Sequence, residues 1–241
     1  MNDYENRLNN DDDHYDGPIF ESKNVNVRLN FIKKVYTILC TQLLFTALLI
    51  VLGHATDSYK TFLLRNLWLI VLASITTIVT CYALVCYKQN ARMYPRNYIL
   101  LAIFTACEAF IVSFITTFSP KENVMIAAAL TAAMVIGLTI YAIRTKEDFT
   151  LCGGFLFMCL LVLCVASIMC LFFHTFITQI LLSTAVILLF GLYIIYDTQL
   201  IVGDRARALC VDDYIIGALM LYIDIIRIFI EILKILNKVN R

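Results

Sequence analysis

Residues 176–203 read FITQILLSTAVILLFGLYIIYDTQLIVG, one apolar run with a single charge, Asp197, set one to two turns inside its end. A hydrocarbon core about 30 Å thick is crossed by about 20 apolar helical residues, so this run is long enough to span a bilayer. An ionisable group inside such a span costs from about 2.5 kcal/mol upward, so Asp197 needs a partner or a watery cavity. Similar windows fall at 32–53, 67–87, 98–118, 124–143, 150–173 and 214–236, which makes seven in all. Their connections are short, so consecutive helices are antiparallel neighbours. The expected fold is an all-α membrane protein, a seven-transmembrane-helix bundle.

The composition of the 241-residue chain agrees with that reading. Hydrophobic residues make up 61% and charged residues 15%, with a mean hydropathy of +0.82; soluble domains carry roughly 45 to 50% apolar residues. A net charge of +1, with Lys and Arg scattered between apolar blocks, supplies no basic face and argues against nucleic acid as a partner. The nine cysteines form no Cys-x-x-Cys pair, and most lie inside apolar runs, where they read as small hydrophobes.

Residues 1–30 carry Asp3, Glu5, Asp11, Asp12, Asp13, Asp16 and Glu21 and no apolar run, which predicts a disordered acidic tail ahead of a single transmembrane domain over 31–241. A calcium loop starting at Asp12 fails, because His14 and Lys23 stand where oxygen ligands are needed. Arg7, Lys23, Arg28, Lys33, Lys34, Lys88, Arg92, Arg96, Arg144, Lys146, Arg205 and Arg207 fall on the side of the N-terminus, against Lys60, Arg65 and Lys121 opposite. This bias makes the N-terminus cytosolic. For Lys234, Lys238 and Arg241, the bias favours a re-entrant last segment and its length favours crossing.

In that last segment Asp224, Arg227, Glu231 and Lys234 follow at spacings of three, four and three. At about 100° per residue they lie within about 80° of arc, one stripe of alternating sign on an apolar helix. The helix therefore sits centrally against other helices or water, or lies at the interface; Ile225, Ile226, Phe229 and Ile232 on its other flanks suit the centre. Glu108, mid-span in the third window, is either a structural ion-pairing group or part of an ion path, with Arg227 its partner by depth. His54 and His174 read as interfacial residues. Asp197 and Asp224 come from consecutive antiparallel helices and reach similar depth. As a pair they form either a proton-sharing latch, attractive to Ca²⁺ as hard oxygens, or two separate packing residues.

Around these aspartates the sequence becomes specific. Tyr193-Ile194-Ile195-Tyr196-Asp197-Thr198-Gln199, then Asp212-Asp213-Tyr214 running to Leu221-Tyr222-Ile223-Asp224-Ile225-Ile226-Arg227-Ile228-Phe229, resembles the C-terminal signature of the transmembrane Bax-inhibitor-motif (Lifeguard) family. Further matches are Val27-Arg28 with Phe31, Lys34-Val35-Tyr36-Thr37-Ile38-Leu39, Met93-Tyr94-Pro95-Arg96-Asn97-Tyr98, Glu108, Thr139-Ile140-Tyr141 and Lys146-Glu147-Asp148-Phe149. From about residue 25 onward they most resemble the Golgi anti-apoptotic branch. That branch has poxviral as well as cellular members, and the Asn-, Ile- and Asp-rich usage fits an AT-rich viral genome.

The resemblance implies seven helices with the last one central, a pH-controlled Ca²⁺ leak from Golgi and endoplasmic-reticulum stores, and inhibition of apoptosis. It maps the family's paired aspartates onto Asp197 and Asp224, and an acidic residue beside the last span onto Asp213 or Asp212. Arg227 and Glu231 complete the supporting charged stripe. Prokaryotic relatives pair an aspartate with a basic residue of the second helix, but residues 67–87 hold no charge, so either Arg227 substitutes or the closed latch differs. The implied partners are the bilayer, Ca²⁺ and protons, and either self-association or other membrane regulators of apoptosis. Ca²⁺ enters as a permeant or regulatory ion rather than a cofactor. The rival reading is a non-conducting interaction protein. An intramembrane aspartyl protease would need Gly-x-Gly-Asp where Leu221-Tyr222-Ile223-Asp224 stands, so no enzyme is expected.

Overall fold

A computed structural model describes residues 18–87, 91–170, 172, 175–203 and 208–240, without the side chains of residues 18–25 and 57. Among the described residues there are eight α-helices and a 3-10 turn, and no strand. The helices are α1 (Pro18–Ala55), α2 (Asp57–Arg65), α3 (Trp68–Cys86), α4 (Arg96–Thr117), α5 (Lys121–Arg144), α6 (Gly153–Met169), α7 (Phe176–Val202) and α8 (Tyr214–Val239), with the 3-10 turn Phe149–Cys152 leading into α6.

Helix α1 starts at Pro18, whose fixed φ and missing N–H suit a first helical position. No Pro or Gly interrupts residues 19–30, so the helix reaches back ahead of the expected boundary at residue 31. The acidic residues Asp3 to Asp16, with Arg7, Lys88, His174, Arg205, Arg207 and Arg241, lie outside the described residues.

Six stretches are long and apolar enough to cross a membrane: Asn26–Ala55, α3, α4, α5, Phe149–Met169 and α7. The seventh window is helical but differs from the expected apolar span. Within α8, Asp224, Arg227 and Glu231 fall too close together to leave an apolar stretch of spanning length. The helix is nonetheless one unbroken run of 26 residues, about 39 Å long at the usual rise. The sequence reading also missed α2, which is short and amphipathic and leaves no apolar window.

In hydrocarbon, apolar surface alone gives helices no reason to associate, so close packing and polar contacts between them decide the arrangement. Helix α8 packs against α7, α1, α5 and α4. It buries Ile215, Leu219, Tyr222, Ile228 and Leu233 with Val35 of α1, Phe104 of α4, Ala127 of α5, and Ile194 and Ile201 of α7. Helices α3 and α6 are peripheral: α3 packs on α4, and α6 on α7 and the 3-10 turn.

The two ends of α8 are held by different chemistry. At its start, Arg92 donates from Nε to Asp213 Oδ1 (2.7 Å) and from Nη2 to Asp213 Oδ2 (2.8 Å). Lys34 lies 3.5 Å from the ring centroid of Tyr214, and Asn97 donates to the Tyr214 hydroxyl (3.1 Å). The carboxylate of Asp213 raises the Arg92 guanidinium further above its already high value, so this pair stays ionic at the arginine. At the far end, Asn237 donates to Ser119 Oγ (2.8 Å), Asn123 donates to Asn237 Oδ1 (2.9 Å), and Asn240 donates to Asn123 Oδ1 (2.8 Å). The far end thus lies beside the α4–α5 connection, and α8 runs the length of the bundle.

The α7–α8 connection is strapped down by α1. Arg28 donates to the carbonyls of Leu200 (2.7 Å), Val202 (3.1 Å) and Leu209 (2.6 Å). Helix α7 ends at Gly203, which has φ 77° and donates to Gln199 O, a left-handed C-terminal cap that glycine adopts without strain. A Cβ on Gly203 would run into the Arg28 guanidinium.

Candidate functional site

The Tyr196-Asp197-Thr198-Gln199 stretch occupies the last turns of α7, where successive side chains face different neighbours. Gln199 turns toward the α5–α6 connection: its Nε2 donates to the carbonyls of Ala142 (3.3 Å) and Glu147 (3.0 Å), and its Oε1 accepts from the Phe149 N–H (2.8 Å). It is 2% exposed, so an apolar replacement would leave one buried and two part-buried backbone groups without this partner. Gln199→Leu is expected to lower stability by about 2–3 kcal/mol. An unchanged thermal midpoint in detergent would show that water replaces the amide.

Asp197 turns the other way, toward α8. Asp224 sits in the first half of that helix, and the two carboxyl groups come within hydrogen-bonding reach of each other. Both are buried, at 2% and 4% exposure, and Asp197 Oδ1 and Asp224 Oδ2 have no hydrogen-bond partner. Two carboxyl groups this close repel each other when both are ionised. Among the described residues, no third His, Cys, Asp or Glu joins them as a metal-binding group.

The pair stands at the inner end of a crevice between α6, α7 and α8. Its inner part holds about 520 Å³ and is lined by Leu163, Phe190, Tyr193, Asp197, Asp224 and Arg227, among others. Its outer part, about 490 Å³, shares Ser167, Val186 and Glu231 with the inner one and continues past Lys234 to Asn237 and Lys238. The charged stripe of α8 therefore faces this crevice. Glu231 accepts from Ser183 Oγ (2.7 Å) and pairs with Lys234 (2.5 Å), whereas Arg227 is exposed to the crevice.

The remaining acidic residues of the sequence reading lie elsewhere. Glu108 is buried on α4 and does not line the crevice. Arg227 acts on it only through space, and no ion pair joins them, so the partnership expected from depth is not formed. The reason is rotational: Arg227 points into the crevice, and helices of matching depth need not present matching faces. Asp213 is bound to Arg92, and Asp212 is exposed beside it. The sequence reading gave no role to Arg28, Gln199, Ser183 or the Arg92–Asp213 pair. Only the Gln199 contact had a local signal, an amide side chain inside an apolar span two residues after an intramembrane aspartate.

Residues 28–241 match the family model Bax1-I, described as inhibitor of apoptosis-promoting Bax1. The chain is 34% identical over 231 residues to protein lifeguard 4 of Mus musculus, covering 96% of this chain and 94% of the relative. It is 34% identical over 218 residues to protein lifeguard 3 of Homo sapiens, covering 89% and 70%. It is 31% identical over 231 residues to the Golgi anti-apoptotic protein of Vaccinia virus (strain Lister), covering 96% and 94%.

Proposed function

Because the chain belongs to the Bax1-I family, the inhibitors of apoptosis-promoting Bax1, we propose that it is a pH-sensitive Ca²⁺ leak channel of Golgi membranes. In this reading it also acts in the endoplasmic reticulum, lowers store Ca²⁺ and thereby inhibits apoptosis. The observation that carries the proposal is the pair of buried carboxyl groups, Asp197 and Asp224, at the inner end of a crevice that starts at the far end of α8. The Golgi assignment follows the name of the vaccinia relative. Helix α8 is the seventh crossing, its charges turned inward, and the Lys/Arg bias puts the N-terminus in the cytosol.

Electrostatics sets the sign of the pH response. At low pH the pair holds a proton and its carboxyl groups attract each other, which keeps α7 and α8 together. As pH rises and the proton leaves, two like charges in a poorly solvated site repel, the helices separate, and the doubly charged site draws a divalent cation. Asp212, exposed beside the start of α8, attracts cations to that end of the bundle, and Glu108 supports the bundle.

A second reading, a non-conducting protein that binds other membrane regulators, is favoured by one observation: Arg227, Lys234 and Lys238 line the crevice and oppose a cation. Ca²⁺ efflux from liposomes carrying the purified protein, followed from about pH 5 to about pH 8, separates the two. Efflux that rises with pH supports the channel. Efflux no greater than from empty liposomes supports the interaction protein.

A further inference from the structure

The crevice has a feature that conduction does not use. Helix α6 packs on α7 and the 3-10 turn and not extensively on α8, so no close helix packing seals the space between α6 and α8. A gap of this size inside a bilayer is filled by water or by lipid.

The lining sorts by depth. The middle of the α7 floor is apolar, with Leu182, Val186 and Phe190, between Gln179 and Ser183 on the outer side and Tyr193 and Asp197 on the inner side. The outer part carries Lys234 and Lys238, the latter one residue before α8 ends. Glu231 is already occupied by Ser183 and Lys234. Among the described residues, Lys238 and Arg227 form no ion pair. With Lys234 paired to Glu231, the outer crevice keeps an excess positive charge at Lys238, near the end of α8 and next to the apolar Val186. Inorganic phosphate would answer the charge and leave the floor uncovered; a molecule with an anionic group joined to a long chain answers both.

We propose that the crevice holds one phospholipid, with its phosphodiester beside Lys234 and Lys238 and one acyl chain laid over Val186 and Phe190 toward the aspartate pair. The chain keeps water from Asp197 and Asp224 while it is in place. The site follows from the crevice itself and does not rest on ion conduction.

The protein has a single tryptophan, Trp68, on α3, which packs on α4 away from the crevice. Phe190→Trp in a Trp68→Phe background places a fluorophore on the crevice floor. It is reconstituted in vesicles of phosphatidylcholine or phosphatidylglycerol with brominated chains, whose bromine quenches tryptophan on contact. The expected result is strong quenching, with phosphatidylglycerol preferred because its phosphate charge is not offset by choline. Lys238→Gln and Lys234→Gln should each weaken that preference by about fivefold. Added inorganic phosphate should leave the quenching unchanged.

An unquenched fluorophore means a water-filled crevice and overturns the proposal. Equal quenching by both lipids, unmoved by the lysine substitutions, or loss of the preference when phosphate is added, overturns the headgroup assignment. If Phe190→Trp does not fold, Val186→Trp reports from the same floor. Because the readout is fluorescence, its failure would leave the Ca²⁺ reading untouched, and absent Ca²⁺ flux would leave the lipid site standing.

Discussion

Replacing Asp224 with asparagine is expected to cut Ca²⁺ efflux from liposomes by about tenfold or more while leaving the bundle folded. The amide keeps the shape of the carboxyl group and can still hydrogen-bond Asp197, so the packing of α7 on α8 survives. It carries no charge at any pH, and at about 4 Å a unit charge in a partly buried site is worth about 4 kcal/mol to a neighbouring charge. Removing that attraction raises the barrier for a divalent ion at the narrowest point. The partner substitution makes a different prediction. Asp197→Asn leaves one carboxyl group at the site but nothing for it to share a proton with, so the pH dependence should flatten more than the maximal efflux falls. Equal efflux from wild type and Asp224→Asn would take Asp224 off the path. An intact pH profile in Asp197→Asn would reject the shared proton.

Arg28→Ala should be the most damaging single change outside the aspartate pair, lowering stability by about 3 kcal/mol. The guanidinium is half-buried and donates to three carbonyls, of Leu200, Val202 and Leu209, that bracket the end of α7 and the approach to α8. Without it these carbonyls lose a charged donor, and the segment that fixes Asp197 relative to Asp224 loses its strap. Arg28→Lys should recover little, because an ammonium group on a flexible stem does not present the planar fork. Gly203→Ala should reproduce part of the loss, since it forces a left-handed backbone on alanine and pushes a methyl group into the same guanidinium. Thermal unfolding in detergent measures all three. A midpoint unchanged in Arg28→Ala would mean that the strap contributes nothing.

The helices were largely legible from hydropathy. The window at 67–87 became Trp68–Cys86, that at 176–203 became Phe176–Val202, and that at 214–236 became Tyr214–Val239. The similar depth of Asp197 and Asp224 was legible too, because it follows from two consecutive antiparallel helices; that the two face each other depends on rotation, which the sequence left open. Contacts that depend on rotation were not. The buried face of α4 mixes Leu101, Phe104 and Val112 with Thr105, Glu108 and Ser113, so apolar periodicity does not tell which way Glu108 points, and depth alone suggested the wrong partner. The Arg92–Asp213 pair and the Arg28 strap join segments far apart in the chain. Arg28 also binds backbone carbonyls, which every residue type provides.

The unlike fastenings of α8 make the helix a lever with one fixed bearing. Neutral amides at Asn123, Asn237 and Asn240 hold one end, and neither dissolved salt nor acid alters their donors and acceptors. The other end adds to its Asn97–Tyr214 hydrogen bond an ion pair whose arginine is 40% exposed, which electrolyte weakens. Added salt is therefore expected to weaken a contact at the Tyr214 end of α8 and none of the amide contacts at the Asn237 end.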